Sequence, residues 1–117
     1  MTQPTQTKAK VDRNGAVAIV RLEGDITSAS RDAVLGTYES LAADVRGVAL
    51  DFVKVPYLNS SGIALVIQLV MEANKAARKV AVFGLTPHFQ KVFTMVGLTK
   101  YTSLHPGEAG AVGALRA

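Results

Sequence analysis

The sequence contains no cysteine and no tryptophan, and only two of its 117 residues are histidine. The absence of cysteine excludes disulfide bonds, thiol catalysis and cysteine-based zinc sites. His88 and His105 stand far apart without the spacing of metal ligands, so we expect neither a metal ion nor another cofactor. Aromatic residues are also scarce, at 6%. Because nucleic-acid stacking platforms need aromatic side chains beside basic ones, the net charge of +4 is interpreted as a solvated surface with no direct nucleic-acid partner.

Long apolar runs are absent as well. The longest apolar stretch, residues 63–71, is interrupted by Gln68 and is far shorter than the roughly 20 residues that span a bilayer. Residues 1–10 are polar and lack the apolar core of a signal peptide. We therefore expect a cytoplasmic protein without a membrane partner. Its length predicts one domain, residues 8–117, preceded by a flexible tail over residues 1–7.

Apolar residues, 49% of the chain, recur with periods that alternate between strand and helix. A hairpin is predicted at Asn14-Gly15, because both central residues of a type I′ turn need positive φ. The predicted strands cover residues 8–11, 16–23, 48–53, 80–83 and 101–104. The predicted helices run from Ser28 or Ser30 to residue 43, from Ser60 or Ser61 to Lys79, from Pro87 to Gly97, and weakly within 106–117. This alternation predicts an α/β domain with a mostly parallel sheet and one antiparallel strand.

The most informative segment is Asp51-Phe52-Val53-Lys54-Val55-Pro56-Tyr57-Leu58-Asn59-Ser60-Ser61-Gly62-Ile63. In it a buried strand ends, a short loop follows, and a helix begins at a pair of serines. Functional groups collect at the carboxyl ends of the strands in open α/β sheets. Ser60 is therefore predicted at a helix N-terminus, whose orphan N–H groups and dipole would tolerate a phosphate.

Three other interpretations of this segment start from the residues alone. Asn59, Ser60 or Ser61 could act only as the N-cap of the helix, a role worth about 1 kcal/mol that the spacing by itself favours. Ser60 could be a nucleophile, although the G-x-S-x-G elbow is missing and no histidine occupies a recognisable triad position. The loop could hold a nucleotide phosphate, although neither glycine-rich phosphate motif is present.

The same segment, as D-F-x-x-V-x-Y-L-N-S-S-G-I, resembles the phosphorylation-site region of anti-sigma factor antagonists of the STAS domain family. Two more stretches support the resemblance, so that it extends over nearly the whole chain. Leu22-Glu23-Gly24-Asp25-Ile26 is similar to the family's L-x-G-[ED]-[LI], and residues 80–87 with Phe93, Val96, Gly97 and Leu98 are similar to its last third. The resemblance implies a single STAS-like α/β domain, with a mixed sheet of about five strands and helices mainly on one side.

The function implied by the resemblance is a non-enzymatic switch in transcription regulation. A family member of this kind binds a GHKL-type serine kinase that doubles as an anti-sigma factor, and by this partner switching releases the sigma factor. The kinase then phosphorylates the antagonist, and a PP2C-type phosphatase removes the phosphate. Matched position by position, the phosphoacceptor is Ser60. We expect a monomer or weak dimer.

The implied partner-binding surface comprises the loop after the second strand and the start of the helix: Asp25, Ile26, Thr27, Asn59, Ser61, Gly62 and Ile63. Two of these residues depart from the family pattern, because Asn59 and Thr27 stand where aspartate is usual. Both replacements remove negative charge from the kinase-facing surface. Two further alternatives stay open. One is a phosphorylation-independent scaffold or adaptor in a signalling or lipid-transport complex, and the other is a small hydrolase that uses Ser60.

Overall fold

Five strands form one mixed sheet in the order β1-β2-β3-β4-β5. They are β1 (Lys8–Asn14), β2 (Val17–Glu23), β3 (Gly47–Lys54), β4 (Lys79–Phe83) and β5 (Thr102–His105). β1 pairs with β2 antiparallel and the other neighbours are parallel, which confirms the predicted α/β fold. The structure, a computed structural model, describes residues 6–116. Residues 1–5 of the predicted tail and Ala117 lie outside the described residues.

The turn between β1 and β2 lies one residue later than predicted. Asn14 pairs with Val17, so the two turn residues are Gly15 and Ala16. Gly15 has a φ of +63°, whereas Ala16 keeps a negative φ. Positive φ at the first central residue alone is the requirement of a type II′ turn. The hairpin therefore depends on Gly15 in the first turn position, and Asn14 belongs to the strand.

The prediction of one regular helix from Ser28 or Ser30 is wrong. The segment consists of a 3₁₀ turn (Ser28–Ser30), a π-helical stretch (Asp32–Gly36) and the short α1 (Thr37–Glu39). Thr27 is the N-cap, because its hydroxyl accepts a hydrogen bond from the Ala29 N–H at 3.2 Å. The Ser30 N–H donates to the Thr27 carbonyl at 2.9 Å, and this i→i+3 bond makes the first turn 3₁₀.

The remaining helices are α2 (Ser60–Lys75), α3 (Pro87–Met95) and α4 (Glu108–Arg116). α2 ends four residues before the predicted Lys79, because the chain reverses at Ala77, whose φ is +58°. The boundaries of α3 are confirmed. Thr86 caps it before Pro87, and Gly97 follows its end with a φ of +84°.

The sheet carries a hydrophobic core on each face. The larger core lies under α1, α2 and α3 and includes Leu22, Leu50, Phe52, Val66, Leu69 and Phe93. α4 covers the opposite face, where Ala111 and Val112 pack against Val17, Ile19, Ala49, Ala81 and Phe83. The helices are thus mainly on one side, as predicted. Leu69 of α2 is fully buried in the larger core.

Candidate functional site

The loops that follow β2 and β3 are hydrogen-bonded to each other. The Ile26 N–H donates to the Tyr57 carbonyl at 3.0 Å, and the Asn59 N–H donates back to the Ile26 carbonyl at 3.2 Å. A parallel bridge between Ile26 and Leu58 completes the pairing. The β2–β3 ladder therefore continues past both strands and joins the loop at residues 25–27 to the start of α2. We call residues 25–27 together with residues 59–63 the site end.

The first turn of α2 is capped by a neutral side chain. Asn59 Oδ1 accepts a hydrogen bond from the Gly62 N–H at 2.8 Å, and the Asn59 carbonyl accepts one from the Ile63 N–H at 2.9 Å. The N–H groups of Ser60 and Ser61 have no acceptor among residues 6–116. The first turn carries no acidic residue. This helix end therefore keeps the partial positive charge of its free N–H groups and of the helix dipole.

Gly62 lies in direct contact with the loop at residues 25–27. A Cβ at this position would stand 2.0 Å from the Ile26 carbonyl oxygen and 2.6 Å from its carbonyl carbon. No side chain fits at such a distance, so only glycine allows the helix to approach the loop this closely. Gly62 is buried, and its role in the structure is to fix where α2 begins relative to Ile26.

The hydroxyl groups of Thr7 and Ser30 hydrogen-bond to the backbone of the loop at residues 25–27. The Thr7 hydroxyl donates to the Asp25 carbonyl at 2.8 Å and also bonds to the hydroxyl of Ser30, which is buried. The Thr27 N–H donates to Ser30 Oγ at 2.9 Å. The role of Thr7 could not be predicted from the sequence, because its partners are 18 and 23 residues away and no motif marks them. Ser30 was predicted only as a possible helix cap.

The structure brings all the sequence-predicted site residues to this one end of the domain, but at different depths. Ser60 and Ser61 are exposed, whereas Ile26 and Gly62 are buried. The partly exposed members are Asp25, Thr27, Asn59 and Ile63. In this conformation, Ile26 and Gly62 therefore position the surface rather than present a side chain on it. That these residues bind a partner stays a prediction.

Asp51, the acidic residue that opens the informative segment, belongs to a charge cluster. One of its oxygens accepts a hydrogen bond from the Val53 N–H at 2.9 Å, and the other pairs with Arg21 at 3.0 Å. Arg21 also pairs with Asp12 at 2.6 Å and with Glu108 at 2.8 Å. The hydrogen bond from Arg21 holds the pKa of Asp12 below its ordinary value, and its bonds to Glu108 and Asp12 raise the pKa of Arg21. The cluster ties β1, β2, β3 and α4 together.

Within residues 6–116, no group of three or more histidine, aspartate or glutamate side chains is placed to hold a metal ion. In the same range, no helix has the length and apolar character needed to cross a bilayer. His105 is bonded to Ser103 at 2.7 Å, and His88 packs on Phe89. Neither of these contacts involves Ser60.

The sequence of residues 9–106 matches the profile of the family described as "Mlab, STAS domain". The chain belongs to the STAS domain family. This finding confirms the resemblance noted in the sequence. Comparison with curated proteins gives no match.

Three solved structures with the same STAS fold show how closely the architecture agrees. An anti-sigma factor antagonist from Mycobacterium paratuberculosis has a TM-score of 0.83 at 21% identity, with 100% of both chains covered. The anti-sigma factor antagonist SpoIIAA in its unphosphorylated form has a TM-score of 0.71 at 18% identity, covering 93% of this chain and 98% of its own. The Bacillus cell fate determinant SpoIIAA in the phosphorylated form has a TM-score of 0.71 at 20% identity, covering 92% and 99%. At such identities the likeness establishes the fold.

Proposed function

We propose that this STAS domain is an anti-sigma factor antagonist controlled by phosphorylation of Ser60. In its unmodified form it binds a GHKL-type anti-sigma factor that is also a serine kinase, and a PP2C-type phosphatase restores that form. The observation that carries the proposal is the position of Ser60. It is exposed at the first residue of α2, directly after the Asn59 cap and beside the loop at residues 25–27. The similar solved structures include anti-sigma factor antagonists, one of them phosphorylated.

A phosphate on Ser60 is compatible with the folded domain. It would add about 1.5 to 2 negative charges next to the free N–H groups of Ser60 and Ser61. Because the first turn of α2 holds no acidic residue, the phosphate meets no carboxylate within that turn. The helix dipole contributes about 0.3–1 kcal/mol of favourable interaction at such an exposed position. Phosphorylation is therefore expected to leave the stability unchanged or slightly raised.

The same charge would disfavour a complex formed over the site end. A partner that covers Ser60 would remove the phosphate from water, and an unpaired buried charge costs several kcal/mol. Each loss of roughly 1.4 kcal/mol in binding free energy lowers the affinity tenfold. Binding to the kinase would consequently fall by orders of magnitude on phosphorylation while the fold persists. This difference is what a partner switch requires.

Phosphopeptide mapping and binding assays with the kinase test the proposal. The kinase is first recovered by affinity capture with unmodified protein from the source cell. Ser60→Ala should bind it constitutively, and Ser60→Asp should bind weakly while it unfolds at the wild-type temperature or above. Ser61→Ala is the matched control, since Ser61 is also exposed, and this variant should still accept phosphate. Phosphate mapped to Ser61, or full binding by Ser60→Asp, would refute the assignment.

A second function, a phosphorylation-independent adaptor, is favoured by two observations. Asn59 and Thr27 leave Asp25 as the only acidic residue of the site end. The family profile that matches the chain carries the description "Mlab, STAS domain". An adaptor of a signalling or lipid-transport complex would bind its partner equally well as wild type, Ser60→Ala and Ser60→Asp, and no phosphate would be found. Labelling of Ser60 by a serine-reactive phosphonate would instead favour the hydrolase alternative.

A further inference from the structure

The charged residues are distributed unevenly between the two ends of the sheet. Seven of the thirteen basic residues, but only three of the nine acidic ones, lie toward the amino ends of the parallel strands. The remaining part of the chain, which includes the site end, has six of each. The whole excess of +4 therefore belongs to the end opposite Ser60. We call this region the basic end; its basic residues are Arg13, Arg46, Lys75, Arg78, Lys79, Lys100 and Arg116.

A groove of about 490 Å³ opens at the basic end between α2, β4, β5 and α4. Arg78, Lys79 and Lys100 line it, and its lining within the described chain includes no carboxylate. Arg78 is held in place by hydrogen bonds to the carbonyls of Val45 at 3.0 Å and Ala42 at 2.9 Å. These acceptors are neutral carbonyls, so the two hydrogen bonds bring no negative charge to Arg78. The basic end is thus a partly rigid concentration of positive charge.

Exposed apolar side chains adjoin this charge. Six large hydrophobic residues in the described chain are exposed, and three of them fall within the seven residues from Met95 to Tyr101. Met95 is 78% exposed, Val96 48% and Tyr101 47%. Tyr101 lines the same groove as Arg78 and Lys100. The turn after α3 therefore places apolar side chains at the rim of the basic end.

We propose that the basic end docks on an anionic membrane surface. Basic residues adsorb to anionic headgroups through long-range attraction, and flanking apolar side chains enter the headgroup region. Such peripheral docking needs no membrane-spanning segment, so it is compatible with the short apolar runs of the sequence. It replaces the expectation of no membrane partner, which rested on the absence of such a segment. It would also leave the site end, at the other end of the strands, facing away from the bilayer. The inference is independent of the function proposed for Ser60.

The apolar residues favour a bilayer over a nucleic acid as the occupant. Binding to single-stranded nucleic acid draws on several aromatic platforms beside the basic residues. In the described chain, the basic end offers Tyr101 as its single exposed aromatic side chain, whereas Met95 and Val96 cannot stack on bases. An aliphatic rim next to lysine and arginine matches the chemistry of a headgroup layer instead.

The test is co-sedimentation of the full chain with phosphatidylcholine vesicles prepared with or without phosphatidylglycerol. The basic-end variant is Arg46→Glu with Lys100→Glu. The matched control is Lys8→Glu with Lys10→Glu, which makes the same charge change on exposed residues outside the basic end, where basic and acidic residues are equal in number. Each basic residue near an anionic surface contributes about fivefold in affinity. The basic-end variant should therefore bind at least twentyfold more weakly, and the control should bind within about fivefold of wild type. Met95→Ser should bind severalfold more weakly.

The expected pattern is binding to anionic vesicles alone, weakened by added salt and lost in the basic-end variant. Thermal unfolding of each variant verifies that it is folded. Failure of the wild type to bind anionic vesicles at low salt would overturn the proposal, and so would equal losses in the basic-end and control variants. Fluorescence anisotropy with a labelled oligonucleotide tests nucleic acid as the alternative ligand of the basic end. Tighter binding to the oligonucleotide than to the vesicles at the same salt would reassign the surface to nucleic acid.

Discussion

Replacement of Gly62 by alanine is the most direct test of how the site end is held together. The added Cβ would lie 2.0 Å from the Ile26 carbonyl oxygen, far inside van der Waals contact. That oxygen belongs to backbone that is itself fixed, because it accepts the Asn59 N–H and the Ile26 N–H is bonded to Tyr57. The loop at residues 25–27 must therefore move away from α2, and both loop-to-loop hydrogen bonds are disrupted.

The expected cost of Gly62→Ala follows from three contributions. Overpacking against a backbone group costs about 1–3 kcal/mol. Each lost hydrogen bond costs about 0.5–1.5 kcal/mol. Alanine gains up to about 1 kcal/mol over glycine from its helix propensity. With two hydrogen bonds disrupted, the net loss is about 1–5 kcal/mol. Its midpoint of about 3 kcal/mol corresponds to a decrease of about 12 °C in Tm for a domain of this size.

Urea and thermal unfolding followed by circular dichroism measure this loss. Gly113→Ala is the matched control, because Gly113 also lies within a helix, α4, and a Cβ there would meet nothing within 4 Å. The control variant should be as stable as wild type or more stable by up to about 1 kcal/mol. If Gly62→Ala behaved like Gly113→Ala, the close contact between α2 and Ile26 would be refuted.

Four further measurements follow from single contacts. Ala77→Gly should raise Tm by a few degrees, because it relieves about 1 kcal/mol of left-handed strain; a lower Tm would contradict this. Asn59→Ala should cost about 1 kcal/mol in unfolding free energy through loss of the cap, and Asn59→Asp should cost nothing. By NMR, the pKa of Asp12 should lie below 3.8 and move toward it in Arg21→Gln. The stability that the Arg21–Asp12 pair contributes is present at pH values above the ordinary pKa of Asp12. It is lost as the pH falls through the lowered pKa of Asp12 in the folded protein. Thr7→Val should speed amide exchange at residues 27–30 about fivefold, and Thr7→Ser should restore it.

The order of strands and helices could be predicted from the sequence because most elements have a clear hydrophobic period and several have a clear end signal. Pro87 after Thr86 and Gly97 after Val96 marked both ends of α3. The end of α2 could not be predicted in the same way, because Ala76 and Ala77 are good helix formers. Tertiary contacts decide it instead. The Lys79 N–H bonds to the Arg46 carbonyl at 3.1 Å, so the chain must leave the helix in time to begin β4.

The site was predictable only as far as it depends on local pattern. The succession of strand, loop and helix placed Ser60 at a helix start beyond a strand, and the structure agrees. The burial of Ile26 and the contact of its carbonyl with Gly62 depend on how far apart two loops lie, which no spacing in the sequence reports. The hydroxyl network joins Thr7, just before β1, to Ser30 in the 3₁₀ turn after β2, and no sequence spacing reports that contact either.

Both departures from the family pattern occur at helix caps, and this limits what they can change. Each of the two side chains accepts a hydrogen bond from the first helical turn that follows it. Asn59 accepts from the Gly62 N–H, and Thr27 accepts from the Ala29 N–H. A cap requires an acceptor oxygen and no charge, so an aspartate at either position would add little to the fold beyond its electrostatic term. The neutral caps alter the field at the site end instead. A phosphate on Ser60 would then join a single carboxylate at the site end, that of Asp25, and would be the larger negative charge there. The contrast between the two states of the proposed switch would rest mainly on that phosphate.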